Sequence, residues 1–227
     1  AFVELHIEQG GILEREGLHI GVVEGIVGIV DWEIAVEGFA NHAGTTPMDL
    51  RRDALLASSK LIIAINEVIN SVPGKQVGTV GKIEARPGAY NVIPGKVFLG
   101  LEIRDLSADK IEILFTGIEK QATRIAEETK TKISFTRQAS AVKPALTDKA
   151  LQHKIYSASK NLGLTAKFMQ SGAGHDTQQM ASIAPVAMIF VPSVGGISHS
   201  PNEFTKPEDI TNGANVLLQT ILLIDNE

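Results

Sequence analysis

Cysteine is missing from all 227 residues. Disulfides and thiolate metal sites are therefore excluded, and the chain suits a reducing, cytoplasmic setting. Positive charge is also scarce. The formal net charge is −5, and no basic cluster extends beyond Arg51–Arg52, so there is no electrostatic footprint for nucleic acid. No continuous apolar run reaches the length of a bilayer span, so no membrane partner is expected. A G-x-S-x-G nucleophile elbow and a G-x-x-x-x-G-K-[ST] phosphate loop are both lacking, which argues against serine chemistry and nucleotide hydrolysis. No internal repeat or low-complexity tract occurs. Ala1 opens directly into AFVELHIEQ, with no initiator methionine, leader or polar lead-in. The expectation is the C-terminal part of a longer protein.

The residues that are present are those of an ordinary folded chain, 44% hydrophobic and 21% charged, with length for one large domain or two small ones. Phe2 to Ile7 alternates apolar and polar residues and reads as a short strand ending at Glu8-Gln9-Gly10-Gly11. Ile20 to Val30 is a β-rich run interrupted by Gly25 and Gly28. Asp31 to Glu37 is a half-buried strand, with Trp32, Ile34 and Val36 on one face. A helix is expected from Met48, with Arg51, Arg52 and Asp53 in its first turns and Ala54, Leu61, Ile65 and Val68 along its apolar stripe. Between strand and helix lies the loop GFANHAGTTP, which carries His42. Gln76–Ala85 and Lys96–Asp105 read as strands separated by a Pro- and Gly-punctuated loop. Ser107 caps a helix with a stripe from Ile111 to Ala126, and Lys132–Thr136 closes the series as a strand. The order β-α-β-β-α-β predicts an α+β, ferredoxin-like unit over residues 29–140.

After Pro144 the pattern changes. A helix over 148–162 and a strand over 166–170 lead into SGAGHD and a short helix. Pro185–Val191 is a continuously apolar strand of the kind covered on both faces. A Gly-rich loop with His199 precedes a last helix over 208–223. Residues 1–28 and 141–227 therefore read as two pieces of an incomplete α/β domain interrupted by the α+β unit.

Of six histidines, His153 reads as solvent-facing on a helix, and His19 as a strand-entry residue without acidic or nucleophilic company. His6, His42, His175 and His199 instead sit at strand ends or in Gly-rich loops, beside Glu8 and Gln9, Asn41, Asp176 and Glu203 respectively. A neutral imidazole held at a strand end is a good zinc ligand, and a neighbouring carboxylate can orient its other nitrogen. Asn91 and Arg104 extend this polar set.

ELHIEQG, GFANHAGTTPMDLRRDAL, NVIPG followed by LEIRDL, SGAGHD and GGISHSPNEFT occur in that order. Together they resemble the amidase, hydantoinase and carbamoylase branch of the M20 metallohydrolases. The resemblance implies an α/β catalytic domain with an inserted lid and dimerisation domain. The implied reaction is metal-dependent hydrolysis of the linear C–N amide bond of an N-carbamoyl amino acid or allantoate-type substrate. It implies His6 and His199 as metal ligands and His42 as the catalytic lid histidine that acts in the partner subunit's site. Asn91 and Arg104 would hold the substrate carboxylate, a task for which the guanidinium fork is well matched. Gln9 and His175 would line the pocket. The implied cofactor is a pair of divalent ions per subunit, zinc or manganese, and the implied assembly is a homodimer. A third histidine ligand, a bridging aspartate, a glutamate ligand and the general-base glutamate of the family have no counterpart here, so the chain by itself is expected to be inactive. Two other readings stay open: a binding or dimerisation module without chemistry, and an M20 peptidase, which His6 and Gln9 disfavour.

Overall fold

A computed structural model describes residues 1–226. Its contacts divide the chain into two compact units, Ala1–Val27 with Pro144–Glu227 and Gly28–Lys143. In chain order the elements are β1 (Phe2–Ile7), α1 (Ile12–Glu16), β2 (Ile20–Ile26), β3 (Gly28–Glu37), β4 (Asn41–His42) and α2 (Ala54–Ser71). Next come β5 (Val77–Arg86), β6 (Val92–Ile93), β7 (Lys96–Asp105), α3 (Ala108–Thr129), β8 (Lys132–Arg137) and β9 (Ala145–Leu146). The chain ends with α4 (Lys149–Asn161), β10 (Ala166–Ser171), α5 (Asp176–Met180), β11 (Val186–Val191) and α6 (Pro207–Asp225).

The first unit is α/β, as expected. Its sheet runs β1-β11-β2-β10, with β9 on the end of β2. β1 lies parallel to β11, β10 parallel to β2, and β11 antiparallel to β2. All six residues of β11 are buried, which is why that segment reads as apolar without alternation. On one face Ile20, Val22, Ala187, Ile189 and Val191 pack with Leu151, Ile155 and Ala158 of α4 and Val216 of α6. On the other, Val23, Met169, Met188 and Phe190 pack with Leu13 of α1. α6 approaches the sheet closely: a Cβ on Gly213 would stand 2.5 Å from Val191 Cγ1.

The second unit has a four-stranded antiparallel sheet, ordered β5-β7-β3-β8. Trp32, Ile34 and Val36 of β3 and Val97, Leu99, Leu101 and Ile103 of β7 form one buried core with α2 and α3. Both helices therefore cover the same face. The stripe of α3 is Ile111, Leu114, Ile118, Ala122 and Ile125, and Ser107 Oγ accepts the Lys110 N–H at 3.2 Å as its N-cap. By length and composition alone α2 could cross a membrane, but its buried stripe, from Ala54 to Ile69, belongs to this core.

The run Ile20–Val30, read as interrupted at Gly25 and Gly28, breaks at Val27, and β2 and β3 enter different sheets. One local expectation is corrected. The helix does not start at Met48. Met48–Leu50 is a single 3-10 turn, Arg51 is extended, and α2 begins at Ala54. The cause is Asp53, whose carboxylate accepts the Leu55 and Leu56 N–H groups at 2.9 and 3.1 Å and so marks the N-cap.

Candidate metal centre and catalytic histidines

His6 and Glu4 are two residues apart on β1 and so share the strand face that carries Met188 and Phe190 on neighbouring β11. The His6 ring stands edge-on to His175, with centroids 4.5 Å apart. Its Nδ1 lies 2.8 Å from the Ile7 carbonyl. A carbonyl only accepts, so Nδ1 carries the proton and Nε2 keeps its lone pair.

His175 stands at the N-cap of α5, and its side chain is 1% exposed. The Ser171 hydroxyl donates to the Ala173 carbonyl at 3.0 Å and lies 2.7 Å from His175 Nε2. The Ser171–His175 bond fixes the orientation of the ring. Nδ1 stands 4.0 Å from Glu4 Oε1, too far for a hydrogen bond. Burial against Phe190 (centroids 5.5 Å apart) and the neighbouring His6 hold the His175 pKa down to about 4, against the opposing pull of Glu4 and Asp176. The imidazole is therefore neutral at pH 7. Glu4 Oε2 is itself held by the Thr177 N–H at 2.8 Å and the Thr177 hydroxyl at 2.5 Å.

Ser171, His175 and Glu4 follow the order of a serine–histidine–acid relay, but they do not work as one. Ser171 is buried and the His–Glu arm is open.

Sequence reasoning assigned His6 the wrong acid. Glu8 is buried and turned to α1, where its two carboxylate oxygens accept the Ile12 and Leu13 N–H groups at 2.8 and 2.9 Å. Glu4 is the carboxylate of the cluster. Period-2 spacing on β1 was the signal that could have found it. Ser171 and Thr177 carried no such signal.

Gln9 and His199 are both left-handed, with φ of 56° and 55°, a conformation uncommon outside glycine and frequent at binding sites. The Gln9 N–H donates to the buried Ser193 Oγ at 3.0 Å, and the loops after β1 and β11 pack backbone to backbone at Gly10, Gly11 and Gly196. These loops leave the carboxyl ends of two parallel strands, where open α/β sheets bind ligands. His199 is exposed, and its N–H donates to the Glu203 carboxylate at 3.0 Å. Glu203 is kept below the usual carboxylate range, first by that bond, then by Ser198 and the charges of His199 and His6.

His42, Asn91 and Arg104 belong to the second unit. The loop around His42 is built tightly. Phe39 N–H bonds the Arg52 carbonyl at 2.8 Å, and a Cβ on Gly38 would come within 2.0 Å of that oxygen, so only glycine fits there. β4 pairs with β6, matching His42 with Val92. The exposed His42 ring accepts the Gly44 and Thr45 N–H groups at Nδ1, at 3.0 and 3.2 Å. Its proton is therefore on Nε2. Arg51, which sequence reasoning passed over, ties the turn together by donating to the Ala43 carbonyl at 2.6 Å and the Thr46 carbonyl at 3.1 Å. The exposed Asn91 accepts the Ala43 N–H at its backbone carbonyl. Arg104 lies on the β7 face away from the helices and forks onto Glu102, at 2.7 and 3.0 Å. His153 is exposed, as expected. His19 is not without company: its Nδ1 lies 2.7 Å from Thr165 Oγ1, and its charge reaches Asp209.

Residues 1–223 match the family model described as Peptidase family M20/M25/M40. The chain is 42% identical over 221 residues to an N-carbamoyl-L-amino acid amidohydrolase of Geobacillus stearothermophilus, covering 97% of this chain and 54% of that protein. It is 42% identical over 222 residues to a ureidoglycolate hydrolase of Arabidopsis thaliana, covering 97% and 47%. A solved amidase of the hydantoinase/carbamoylase family from Burkholderia multivorans superposes with a TM-score of 0.92 at 38% identity, covering 97% of this chain and 53% of that one. The chain spans about half the length of the curated relatives it matches.

Proposed function

The chain belongs to peptidase family M20/M25/M40, and on that premise we propose that its protein is a metal-dependent amidohydrolase cleaving the linear C–N bond of a carbamoyl- or ureido-substituted acid. The observation that carries this reading is the opposite polarity of two imidazoles. His6 presents a lone pair, because Ile7 takes its proton. His42 presents an N–H, because two backbone amides take its lone pair.

In this reading His6 and His199 hold a divalent ion of the zinc or manganese class, one of two per subunit. The His6 ring, with Nδ1 turned to the Ile7 carbonyl and Nε2 left for a ligand, and the exposed His199 imidazole are donors of the type such an ion takes. When bound, the ion supplies Lewis acidity and lowers the pKa of a coordinated water. The chain's own residues do the rest. His42 Nε2–H donates to the oxygen that gains charge as the carbonyl is attacked, in the site of a second copy of the chain. Arg104 and Asn91 bind the substrate carboxylate, with the fork of Arg104 passing from Glu102 to the ligand. Gln9 and His175 line the pocket. The unit Gly28–Lys143, whose four strands take the 4-1-3-2 order of a ferredoxin-like sheet, serves as the lid and dimerisation domain. The setting is cytoplasmic, with neither nucleic acid nor membrane as partner.

The test is ammonia release by the complete, metal-loaded protein from N-carbamoyl amino acids, ureidoglycolate and allantoate, with dipeptides alongside. Arg104→Ala should raise KM at least tenfold with little change in kcat. Cleavage of dipeptides alone would make the protein a peptidase. Inertness toward the whole panel would leave a binding module.

A further inference from the structure

Resting on the reading of Arg104 as the holder of the substrate carboxylate, we propose that Glu102 and Lys82 form a two-position switch that sets how tightly Arg104 takes that carboxylate. Glu102 fills the guanidinium fork itself: Oε1 accepts from Nε at 2.7 Å and Oε2 from Nη2 at 3.0 Å. The Arg104 and Glu102 side chains are 29% and 34% exposed, so a ligand in solvent can reach the pair. A carboxylate that takes this fork releases Glu102, which then forfeits two charge-assisted bonds. What receives Glu102 therefore enters the binding free energy of the substrate.

A receiver stands beside it. On the same sheet face, β5, β7 and β3 enclose a hollow of about 380 Å³, lined by Glu102, Lys82, Gly81 and Gly100 among others. Gly100 of β7 lies opposite Lys82 of β5 and Glu33 of β3. Gly81 is the extra residue of a bulge between Val80 and Lys82, and the bulge turns Lys82 onto this face. A Cβ on Gly100 would stand 3.3 Å from Lys82 Cβ, and one on Gly81 would meet nothing within 4 Å. The two glycines keep open the space through which a long side chain swings. Glu102 is matched with Thr79, so Lys82 is its diagonal neighbour on β5, at roughly 7–8 Å and within reach of two long side chains. Among the described residues lining the hollow, Lys82 alone is cationic, and it holds no carboxylate. Asp31 and Glu33 face the same hollow, and Asp31 is held by the Ser140 hydroxyl at 3.0 Å. These two carboxylates repel a released Glu102, so its second position depends on Lys82. Lys82 and Glu102 are thus positioning residues that act through Arg104.

The test is steady-state kinetics of the complete, metal-loaded protein on an N-carbamoyl amino acid. Lys82→Ala should raise KM about two- to fivefold, the scale of one partly exposed ion pair, with kcat and thermal stability unchanged. Lys82→Arg should restore KM. Glu102→Gln should lower KM by a similar factor and erase the effect of Lys82→Ala when the two are combined. A crystal structure of the Arg104→Ala protein, which needs no turnover, should show Glu102 within about 4 Å of Lys82 Nζ. A silent Lys82→Ala overturns the proposal. So does a Glu102→Gln variant whose KM rises as that of Arg104→Ala does, which would make Glu102 a fixed strut. If no carbamoyl or ureido compound is turned over, or if Arg104→Ala leaves KM unchanged, the reading of Arg104 falls. The crystal structure then decides the switch alone: for it where Glu102 meets Lys82, against it where Glu102 stays away.

Discussion

The two units hold their histidines in opposite ways. In the first, a sheet strand and a helix cap press His6 and His175 into half-buried or buried positions, with the His6 Nδ1–H given to a backbone carbonyl so that Nε2 is left for a ligand. In the second, a loop exposes His42 and uses its own backbone amides to leave a proton showing. The same side chain becomes a donor of electrons or a donor of hydrogen according to what stands behind its second nitrogen. Burial then decides what its removal costs: stability in one case, turnover in the other.

The largest effect should come from His42→Ala in the complete protein. Loss of a hydrogen-bond donor to developing charge costs about 10²–10³ in kcat. Because the ring is exposed, unfolding free energy should stay within about 0.5 kcal/mol of the parent. A variant that instead unfolds easily would erase the contrast between the units.

The second effect concerns pH. The folded pKa of His175 is lowered to about 4, from an ordinary value of 6.5. Between those values the unfolded chain holds a proton that the folded chain does not. The contribution to stability is therefore complete above pH 6.5 and is lost as pH falls toward 4, by roughly 2–3 kcal/mol. Urea unfolding of the metal-free chain at a series of pH values should show this slope, and His175→Gln should flatten it. A slope of the reverse sign would mean that Glu4 governs the imidazole and burial does not.

The smallest effect should come from Arg51→Ala, which cuts both carbonyl ties of the His42 turn. About 1–2 kcal/mol of local order is at stake. Amide hydrogen exchange at Gly44 and Thr45 should quicken about tenfold, while the α3 amides keep their protection. Unchanged exchange would show that Gly38 and the β4–β6 pair hold the turn unaided.

Much of the fold was legible because periodicity reports burial. The alternation of β7 and the stripe of α3 each have one wet and one dry face. The break at Val27 was legible to within a residue or two, because Gly25 and Gly28 interrupt the apolar run on either side of it. The start of α2 was misread. Asp53 suits a first turn and an N-cap equally well, and only its bonds to Leu55 and Leu56 decide between them. At the site, the candidate histidines stood out by their company, but adjacency along the chain named the wrong acid. Glu8 is nearer the loop, yet Glu4 shares the face. The Ser171–His175 bond and the Thr177 clasp on Glu4 join segments whose meeting no local pattern announces.

Left-handed backbone at Gln9 and His199 bears on how this protein responds to selection for heat resistance. Glycine occupies that region without strain, whereas these two side chains hold it at a cost of order 1 kcal/mol each. A thermostability screen blind to activity would therefore favour Gln9→Gly and His199→Gly, hardening the scaffold while stripping it of two residues expected to serve its chemistry. A natural chain that keeps both under such pressure reveals what it is being kept for.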